Sequence, residues 1–303
     1  MMFRWVCTVL AVLLLVNVPV VAHADSGAST SDQFVLPLAR AHAHNDYWHA
    51  RPLYDALDHG FTSVEADVFL VDGELLVGHD WSELRPERTL KSLYLDPLKK
   101  IIQQNGGSVY PKYPHDFFLW IDIKTDGEST YRVLHEQLRQ YQDILTKFTG
   151  DKVKTGAVTV IISGNRPRTL METQPVRYAA MDGRMSDLGS GVSPQFMPVI
   201  SDNWQRHFTW MGNGPMPEEE RQKLQSIVST AHANGQRVRF WATPDMPSSQ
   251  REAVWHELMK ANVDFINSDD LSGLQHYLQQ YDPQPSKPYI TWESADKRSK
   301  AAK

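Results

Sequence analysis

The chain of 303 residues contains a single cysteine, Cys7, which lies in an apolar segment near the N-terminus. The rest of the chain therefore has no thiol for a disulfide, a thiolate nucleophile or a cysteine-ligated zinc site. No glycine-rich phosphate loop follows the first predicted strand, which disfavours a dinucleotide-binding sheet. The net charge of −5 comes from interspersed acidic and basic residues, so no nucleic-acid partner is expected.

The first residues have the pattern of a secretory signal peptide. Arg4 precedes a long apolar run, and Ala22-His23-Ala24 supplies the small residues of a cleavage site. A retained membrane anchor is the alternative, and Pro19 together with the cleavage pattern disfavours it. We therefore expect a signal peptide over residues 1–24 and an exported protein, either periplasmic or secreted.

The remaining sequence predicts one domain between two flanking segments. Residues 25–37 form a flexible lead-in, and residues 38–282 are long enough to build a single barrel-sized domain. Residues 283–303 are rich in proline and then in charge, which predicts an extended or disordered tail.

Short β-branched or aromatic runs alternate with segments of helical spacing along the predicted domain. Strands are predicted at residues 38–42, 62–68, 117–123, 157–163, 176–181, 197–201, 238–243 and 263–267. Helices are predicted at residues 52–59, 90–104, 131–148, 217–234 and 248–261. This alternation favours an α/β fold of the (β/α)8 TIM-barrel type, in which the chemistry lies at the C-terminal ends of the strands.

Three of the predicted strands end in polar pairs with a spacing of two. The pairs are His42 with His44, Glu65 with Asp67, and Asp122 with Lys124. Residues two apart on a strand point to the same face. Because a pair facing the surrounding helices would bury two charges without partners, we expect all six side chains to converge on the barrel mouth.

The carboxylates of this group predict a metal site. Glu65, Asp67 and Asp122 would repel one another unless a cation or protons were bound. Their oxygen ligands favour one divalent cation, Mg²⁺ or Ca²⁺, over zinc. Such a cation would attract an anion, and Lys124 would add a second positive charge.

A predicted hairpin brings a further histidine to the mouth. Asp72-Gly73 is a strong two-residue turn signal between apolar runs, and a hairpin there would return His79 towards the strand-one histidines. Two histidines on either side of a bound phosphate suit a general base and a general acid.

In chain order, the motifs H-x-H-N-D-Y, V-E-A-D-V, G-H-D and D-I-K resemble those of the phospholipase C-like phosphodiesterase superfamily. This group includes the glycerophosphodiester phosphodiesterases and the sphingomyelinase D enzymes. The stretches "HAHNDYWHARPLYDALDHGFTSVEADVFL", "RVRFWATPD" and "VDFINSDDL" are similar to the branch of altered inheritance of mitochondria protein 6.

The resemblance implies a role for each of the candidate residues. It implies a TIM barrel, a cation held by Glu65, Asp67 and Asp122, and an acid/base pair made of His79 with His44 or His42. Residues implied or proposed to contact the substrate are Lys124, Asn45, Trp241 and Asn267. The predicted function is hydrolysis of a phosphoric diester, either a glycerophosphodiester or a phospholipid-type substrate.

Two other functions share parts of this pattern. A dinuclear metallohydrolase of the amidohydrolase type also opens with H-x-H, but it needs further histidines on strands five and six, where the sequence has none. A non-catalytic exported protein that binds a phosphorylated ligand would not need His79. The tryptophan-containing loop of residues 201–220 suggests, in addition, a peripheral contact with a membrane.

Overall fold

The computed structural model describes residues 35–150 and 152–295, and its main feature is a closed barrel of parallel strands. The strands are β1 (Leu38–Ala43), β2 (Phe61–Val71), β3 (Glu74–Val77), β4 (Phe117–Ile123), β5 (Lys147–Thr149), β6 (Lys152–Lys154), β7 (Val158–Gly164), β8 (Ala180–Gly183), β9 (Val199–Asn203), β10 (Arg237–Trp241) and β11 (Phe265–Ser268). All except β3, β5 and β6 pair in parallel in the order β1-β11-β10-β9-β8-β7-β4-β2, and β1 also pairs with β2. The ring of eight strands is therefore closed, and the predicted (β/α)8 TIM barrel is confirmed.

Helices lie in segments between the strands and after the last strand. They are α1 (Tyr54–Asp58), α2 (Asp96–Gln104), α3 (Gly127–Arg139), α4 (Arg168–Thr173), α5 (Trp204–His207), α6 (Glu218–Ala233), α7 (Ser249–Lys260) and α8 (Leu271–Tyr281). The longest, α6, buries Leu224, Ile227 and Val228 on one face, at the spacing of an amphipathic helix. In the described part of the chain, we find no helix with the length and apolar character needed to cross a membrane.

The barrel interior is aromatic towards the N-terminal ends of the strands and charged towards their C-terminal ends. Phe118 and Trp120 of β4 pack edge to face against Phe265 of β11, with ring centroids 5.1 and 5.9 Å apart. Because strand residues alternate between two faces, the next inward residue of β4 is Asp122. The aromatic layer is thus the floor of a polar mouth.

The helix predicted over residues 131–148 ends nine residues early, at Arg139. Leu145 and Phe148 do follow the helical spacing, but they are buried in extended backbone instead. Leu145 forms a bridge to Val158, and Phe148 forms one to Arg177. Sheet pairing therefore replaces helix at these apolar positions. The strand predicted at 176–181 is likewise shifted to Ala180–Gly183.

The predicted flanking segments have different outcomes. The signal peptide of residues 1–24 lies outside the described residues, as does most of the lead-in. Residues 283–295 differ from the expected tail, because Ile290 and Ala295 are buried. Trp292 packs 5.6 Å from Phe148 and donates from Nε1 to Asp116, just before β4, at 3.0 Å. This segment therefore covers the N-terminal end of the barrel.

A buried arginine holds this segment in place. Arg40 of β1 pairs with Asp282 and donates to the carbonyl oxygens of Gln284 and Lys287 at 2.7 and 2.9 Å. Its guanidinium lies 4.4 Å from the ring centre of Tyr289. Because both members of the ion pair are buried, each depends on the other to offset its desolvation.

A second buried acid fixes the loop after β1. Asp46 accepts hydrogen bonds from the backbone N–H of Leu53 at 2.6 Å and from the Tyr94 hydroxyl at 2.9 Å. Burial raises the pKa of Asp46 to about 7, against the effect of these two hydrogen bonds. The loop that carries the strand-one motif is therefore anchored on a carboxyl group that folding favours in its protonated form.

We expect Asp282→Ala to lower the free energy of unfolding by about 3–5 kcal/mol, because it leaves Arg40 buried without a counter-charge. The matched control is Asp58→Ala, which removes an exposed ion pair to Arg51 and should leave the free energy of unfolding almost unchanged. Urea denaturation of both variants measures the difference. Equal losses would show that the Arg40 pair does not anchor the segment.

We expect the contribution of Asp46 to stability to fall as the pH rises. Its folded-state pKa is above the unfolded value, so its stabilising effect is complete below about pH 4 and is lost as the pH rises through about 7. Relative to Asp46→Asn, the native chain should lose roughly 2–3 kcal/mol between pH 5 and 8. Urea denaturation at both pH values tests this, with Asp72→Asn at the exposed hairpin tip as control. The prediction is contradicted if the free energies of unfolding of the native chain and of Asp46→Asn change equally between the two pH values.

Candidate active site

Three carboxylates from neighbouring strands converge at the barrel mouth. Glu65 and Asp67 lie on β2 and Asp122 lies on β4, where Asp67 and Asp122 are paired in the sheet register. One oxygen from each residue lies within 4.8 Å of the others. Gly164 of β7 makes this approach possible, since a side chain there would overlap Asp122 Oδ1. The predicted convergence of these residues is therefore present in the structure.

Two cations offset the charge of the cluster. Arg239 of β10 contacts Glu65 Oε2 at 2.5 Å, while Lys124 Nζ lies 3.0 Å from both Asp67 Oδ2 and Asp122 Oδ1. Although burial opposes ionisation, Arg239 and a hydrogen bond from His42 hold the pKa of Glu65 well below its usual range.

The other two carboxyl groups are harder to ionise. Burial and the charge of Glu65 raise the pKa of Asp67 above its ordinary value, and they raise that of Asp122 to about 6, despite Lys124. Two cations against three carboxylates leave one negative charge when all are ionised. The cluster is therefore suited to binding additional positive charge.

The donor atoms fit a divalent cation. In the hydrogen bonds and ion pairs of the described residues, each carboxylate uses only one oxygen: Oε2 of Glu65, Oδ2 of Asp67 and Oδ1 of Asp122. One oxygen of each is left for a ligand, and such oxygens are the donors that Mg²⁺ and Ca²⁺ prefer.

The residues fit a dinuclear metallohydrolase poorly. The cluster of Glu65, Asp67 and Asp122 is the only group of potential metal ligands found among residues 35–150 and 152–295. Moreover, β8 and β9, the fifth and sixth strands of the barrel, contain no histidine.

The two strand-one histidines lie in different environments. His42 is fully buried, with Nε2 3.2 Å from Glu65 Oε2 and Nδ1 2.7 Å from Ser63 Oγ. Since a carboxylate only accepts, Nε2–H donates to Glu65 and Nδ1 accepts from Ser63. Burial and the charge of Arg239 lower the pKa of His42 to about 3. His42 is therefore a neutral support for Glu65, with both nitrogens engaged.

His44 lies further out and keeps one nitrogen for chemistry. Its side chain is 30% exposed, and Nδ1 lies 3.1 Å from Asp269 Oδ1 and 2.9 Å from Asn45 Nδ2. Since the Asn45 amide can donate to Asp269 at 3.2 Å, we assign Nδ1–H as a donor to the same carboxylate. Burial would lower the pKa of His44, but the hydrogen bond to Asp269 and the charge of Glu65 outweigh it and raise the pKa. With Nδ1 held, Nε2 is the nitrogen left for proton transfer.

The β2–β3 hairpin returns His79 to the mouth. Asp72 and Gly73 both have positive φ, as the two-residue turn requires. Beyond β3, His79 Nδ1 lies 3.1 Å from Asp67 Oδ2 and 3.2 Å from the Tyr47 hydroxyl. The side chain is half exposed, so Nε2 is again the remaining nitrogen.

The other candidate residues are more dispersed. Lys124 belongs to the cluster, and Trp241 ends β10 in a partly buried position at the mouth. Asn267 is buried and its carbonyl oxygen accepts from Arg239 at 2.7 and 3.0 Å, so its expected substrate contact stays a prediction for the amide nitrogen. Asn45 is also engaged within the protein, since its carbonyl oxygen accepts from Tyr47 at 2.8 Å.

Two further residues of the site, Arg239 and Tyr47, were not predicted from the sequence. A signal for Arg239 was available, because Arg237 and Arg239 have the same spacing of two as the other inward pairs. Tyr47 was visible only as part of a motif. Its hydroxyl lies 2.7 Å from Asp67 Oδ2, and this contact joins the loop after β1 to strand β2.

Comparisons with known proteins agree with the sequence motifs. Residues 31–182 match the family described as the AIM6-like phosphodiesterase domain. The altered inheritance of mitochondria protein 6 homolog of Arthroderma benhamiae is 31% identical over 267 residues, which cover 80% of this chain and 84% of the relative. The Eremothecium gossypii protein is 32% identical over 270 residues, covering 79% and 69%.

Among solved structures, a glycerophosphodiester phosphodiesterase from Thermotoga maritima is similar with a TM-score of 0.41 and 14% identity, covering 77% of this chain and 96% of the other.

The expected export of the protein is contradicted by these relatives. Their names refer to the inheritance of mitochondria rather than to a periplasmic or secreted protein. The apolar run and small residues near the N-terminus, read in isolation, therefore led to a wrong location.

The matched residues 31–182 include the strand-one histidines, all three carboxylates, Lys124 and His79. The match thus spans the three carboxylates but ends before Arg239 and Asp269, and the two relatives are similar over 80% and 79% of the chain. The resemblance indicated by the motifs is confirmed, and the chain belongs to the AIM6-like phosphodiesterase domain family of the phospholipase C-like phosphodiesterase superfamily.

Proposed function

We propose that the protein is a phosphoric diester hydrolase that depends on one divalent cation and acts on a glycerophosphodiester or a phospholipid-type substrate. One observation carries this proposal. Glu65, Asp67 and Asp122 each keep one oxygen without a hydrogen bond or ion pair to any other residue of 35–150 and 152–295, beside two histidines whose Nδ1 atoms contact carboxylates. Carboxylates for a cation and a pair of oriented imidazoles are the groups that diester hydrolysis needs.

The three carboxylates would hold the cation, either Mg²⁺ or Ca²⁺. When bound, it supplies positive charge that binds the anionic diester and offsets the charge that develops during the reaction. Lys124 bridges Asp67 and Asp122 and provides an ammonium group for a non-bridging phosphate oxygen. Arg239 and His42 contact Glu65 and fix the position of its carboxylate.

His44 and His79 carry out the two proton transfers. His44 Nε2 takes a proton from the nucleophile, either water or a hydroxyl next to the phosphate, while Asp269 holds its Nδ1. His79 Nε2 gives a proton to the leaving oxygen, and Asp67 and Tyr47 fix its ring. His42 takes no part in proton transfer, because both of its nitrogens are engaged.

Exposed apolar side chains near the mouth support a peripheral contact with a lipid surface. The tryptophans of the 201–220 loop are unsuited to it, since Trp204 and Trp210 are buried. Trp48 and Met246 are instead 53% and 81% exposed, in the loops that follow β1 and β10. Exposed aromatic and apolar residues of this kind anchor proteins at membrane interfaces.

We expect the purified protein to hydrolyse a phosphodiester, as followed by phosphorus NMR with glycerophosphodiesters, phosphoinositides and lysophospholipids. Activity should disappear with a chelator and return with Mg²⁺ or Ca²⁺, because the carboxylate cluster then regains its cation. Cation-dependent binding of these phosphates without turnover of any diester would instead favour a non-catalytic binding protein.

We expect His44→Ala and His79→Ala each to lower kcat by about 10²–10⁴-fold, as loss of a general base or acid does. The exposed His276 on α8 provides the control, and His276→Ala should keep full activity. Rates are measured on the diester that phosphorus NMR identifies. An undiminished rate in either variant would remove that histidine from the mechanism.

We expect the protein to sediment with vesicles of phosphatidylcholine and phosphatidylserine, and Trp48→Ala with Met246→Ser to weaken this binding several-fold by removing buried apolar area at the interface. The matched control is Tyr281→Ala, which changes an exposed aromatic residue at the C-terminal end of α8. If the double variant binds vesicles as well as the native chain does, this rim makes no lipid contact.

A further inference from the structure

A large cavity opens beside the carboxylate cluster. It has a volume of about 910 Å³ and is lined mainly by residues that follow β4 and β7, with Trp81 on one wall. Lys124 belongs both to this lining and to the cluster. Strands β4 and β7 are adjacent, and Asp122 of β4 is paired with Ser163 of β7. The cavity above these strand ends therefore lies next to the position proposed for the phosphate.

Arg166 is the unpaired cation of this cavity. Within residues 35–150 and 152–295, Lys124 is paired with the cluster and Arg168 with Glu172 and Asp187, whereas Arg166 has no ion pair. Its guanidinium donates a hydrogen bond to the backbone carbonyl oxygen of Asp182. The half-buried guanidinium of Arg166 thus lines the cavity without an ion-pair partner among the described residues.

The charges around Arg166 favour the binding of an anion there. Burial and the nearby guanidinium of Arg184 lower the pKa of Arg166 and outweigh the opposite effect of the Asp182 and Asp187 carboxylates. Arg184 already uses its own carboxylate, Asp182. A ligand that brings negative charge would offset this crowding of cations.

The acidic residues of the cavity wall are engaged elsewhere. Asp126 accepts hydrogen bonds from Ser129 at the start of α3, at 2.9 Å from the backbone N–H and 2.7 Å from the hydroxyl. Glu128 pairs with Arg132 on the exposed side of the same helix. Neither carboxylate therefore neutralises Arg166.

We propose that the cavity binds a second anionic group of the substrate, a phosphate or carboxylate, at Arg166. This inference rests on the proposed phosphodiesterase function and narrows its substrate class to diesters with an additional negative charge on one alcohol. The planar guanidinium matches such groups through paired hydrogen bonds. The cavity is also large enough for a polar head group, with the Trp81 ring as an apolar wall.

The test compares two diesters that differ by one phosphate, glycerophosphoinositol and glycerophosphoinositol 4-phosphate. The native chain should prefer the phosphorylated diester in kcat/KM by about 10- to 100-fold, the value of a charged hydrogen bond. Arg166→Ala should bring this ratio close to one through a higher KM for the phosphorylated diester. Arg166→Lys keeps the positive charge and should retain part of this preference. It replaces the alanine variant in the test if Arg166→Ala does not fold. The control Arg139→Ala removes an exposed ion pair to Glu136 away from the cavity lining and should keep the native ratio.

Calorimetry with inorganic phosphate, in the presence of a chelator, separates this inference from the proposed function. If no diester is hydrolysed but Arg166→Ala weakens phosphate binding at least tenfold, the anionic subsite stands and the hydrolase does not. If both diesters are hydrolysed with a ratio near one in the native chain, the hydrolase stands and the subsite is overturned.

Discussion

Repulsion among Glu65, Asp67 and Asp122 is the constraint on which the barrel mouth depends. Two unit charges 4 Å apart interact by about 4 kcal/mol at the effective dielectric constant near a protein surface. The fold offsets this repulsion from two sides, with Arg239 on Glu65 and Lys124 between Asp67 and Asp122. Because the two cations leave one negative charge uncompensated, the cluster is stable in the fold and still suited to a further cation.

The aromatic floor of the barrel contributes to this balance. The guanidinium of Arg239 lies 4.7 Å from the ring centre of Trp120, and the His42 ring packs edge to face on the same indole at 5.3 Å. Both side chains then reach Glu65. Packing on Trp120 thus fixes Arg239 and His42, and these two side chains in turn fix the Glu65 carboxylate. The low dielectric constant of the aromatic floor strengthens both of their contacts with Glu65. The chemistry at the mouth cannot be separated from the core beneath it.

Side-chain alternation along strands explains why the site was visible in the sequence. Glu65, Asp67, Asp122 and Lys124 could be placed on one face because a spacing of two has a fixed meaning in a strand. The end of α3 could not be found in this way. Leu145 and Phe148 satisfy a helical period, and only pairing with Val158 and Arg177, distant in sequence, shows that they are extended.

Contacts between distant segments account for the other differences. Residues 283–295 have the composition of a tail, but Arg40 and Asp116 provide partners that composition cannot reveal. Equally, His42 and His44 are equivalent in the sequence pattern. They are distinguished by Ser63 and Glu65 around one ring and by Asp269 beside the other.

The Asn45-Asp46-Tyr47 motif follows His44 directly and links the two sides of the mouth. Asn45 donates to Asp269, the partner of His44, and its carbonyl oxygen lies 2.8 Å from the Tyr47 hydroxyl, which in turn contacts Asp67 and His79. Hydrogen bonds therefore connect the surroundings of both histidines through two residues of one loop. This path requires φ of 47° at Asn45, a conformation that asparagine tolerates better than most other side chains. The motif is thus explained by backbone geometry and hydrogen bonding together, since a residue with only one of these properties could not hold both imidazoles in register.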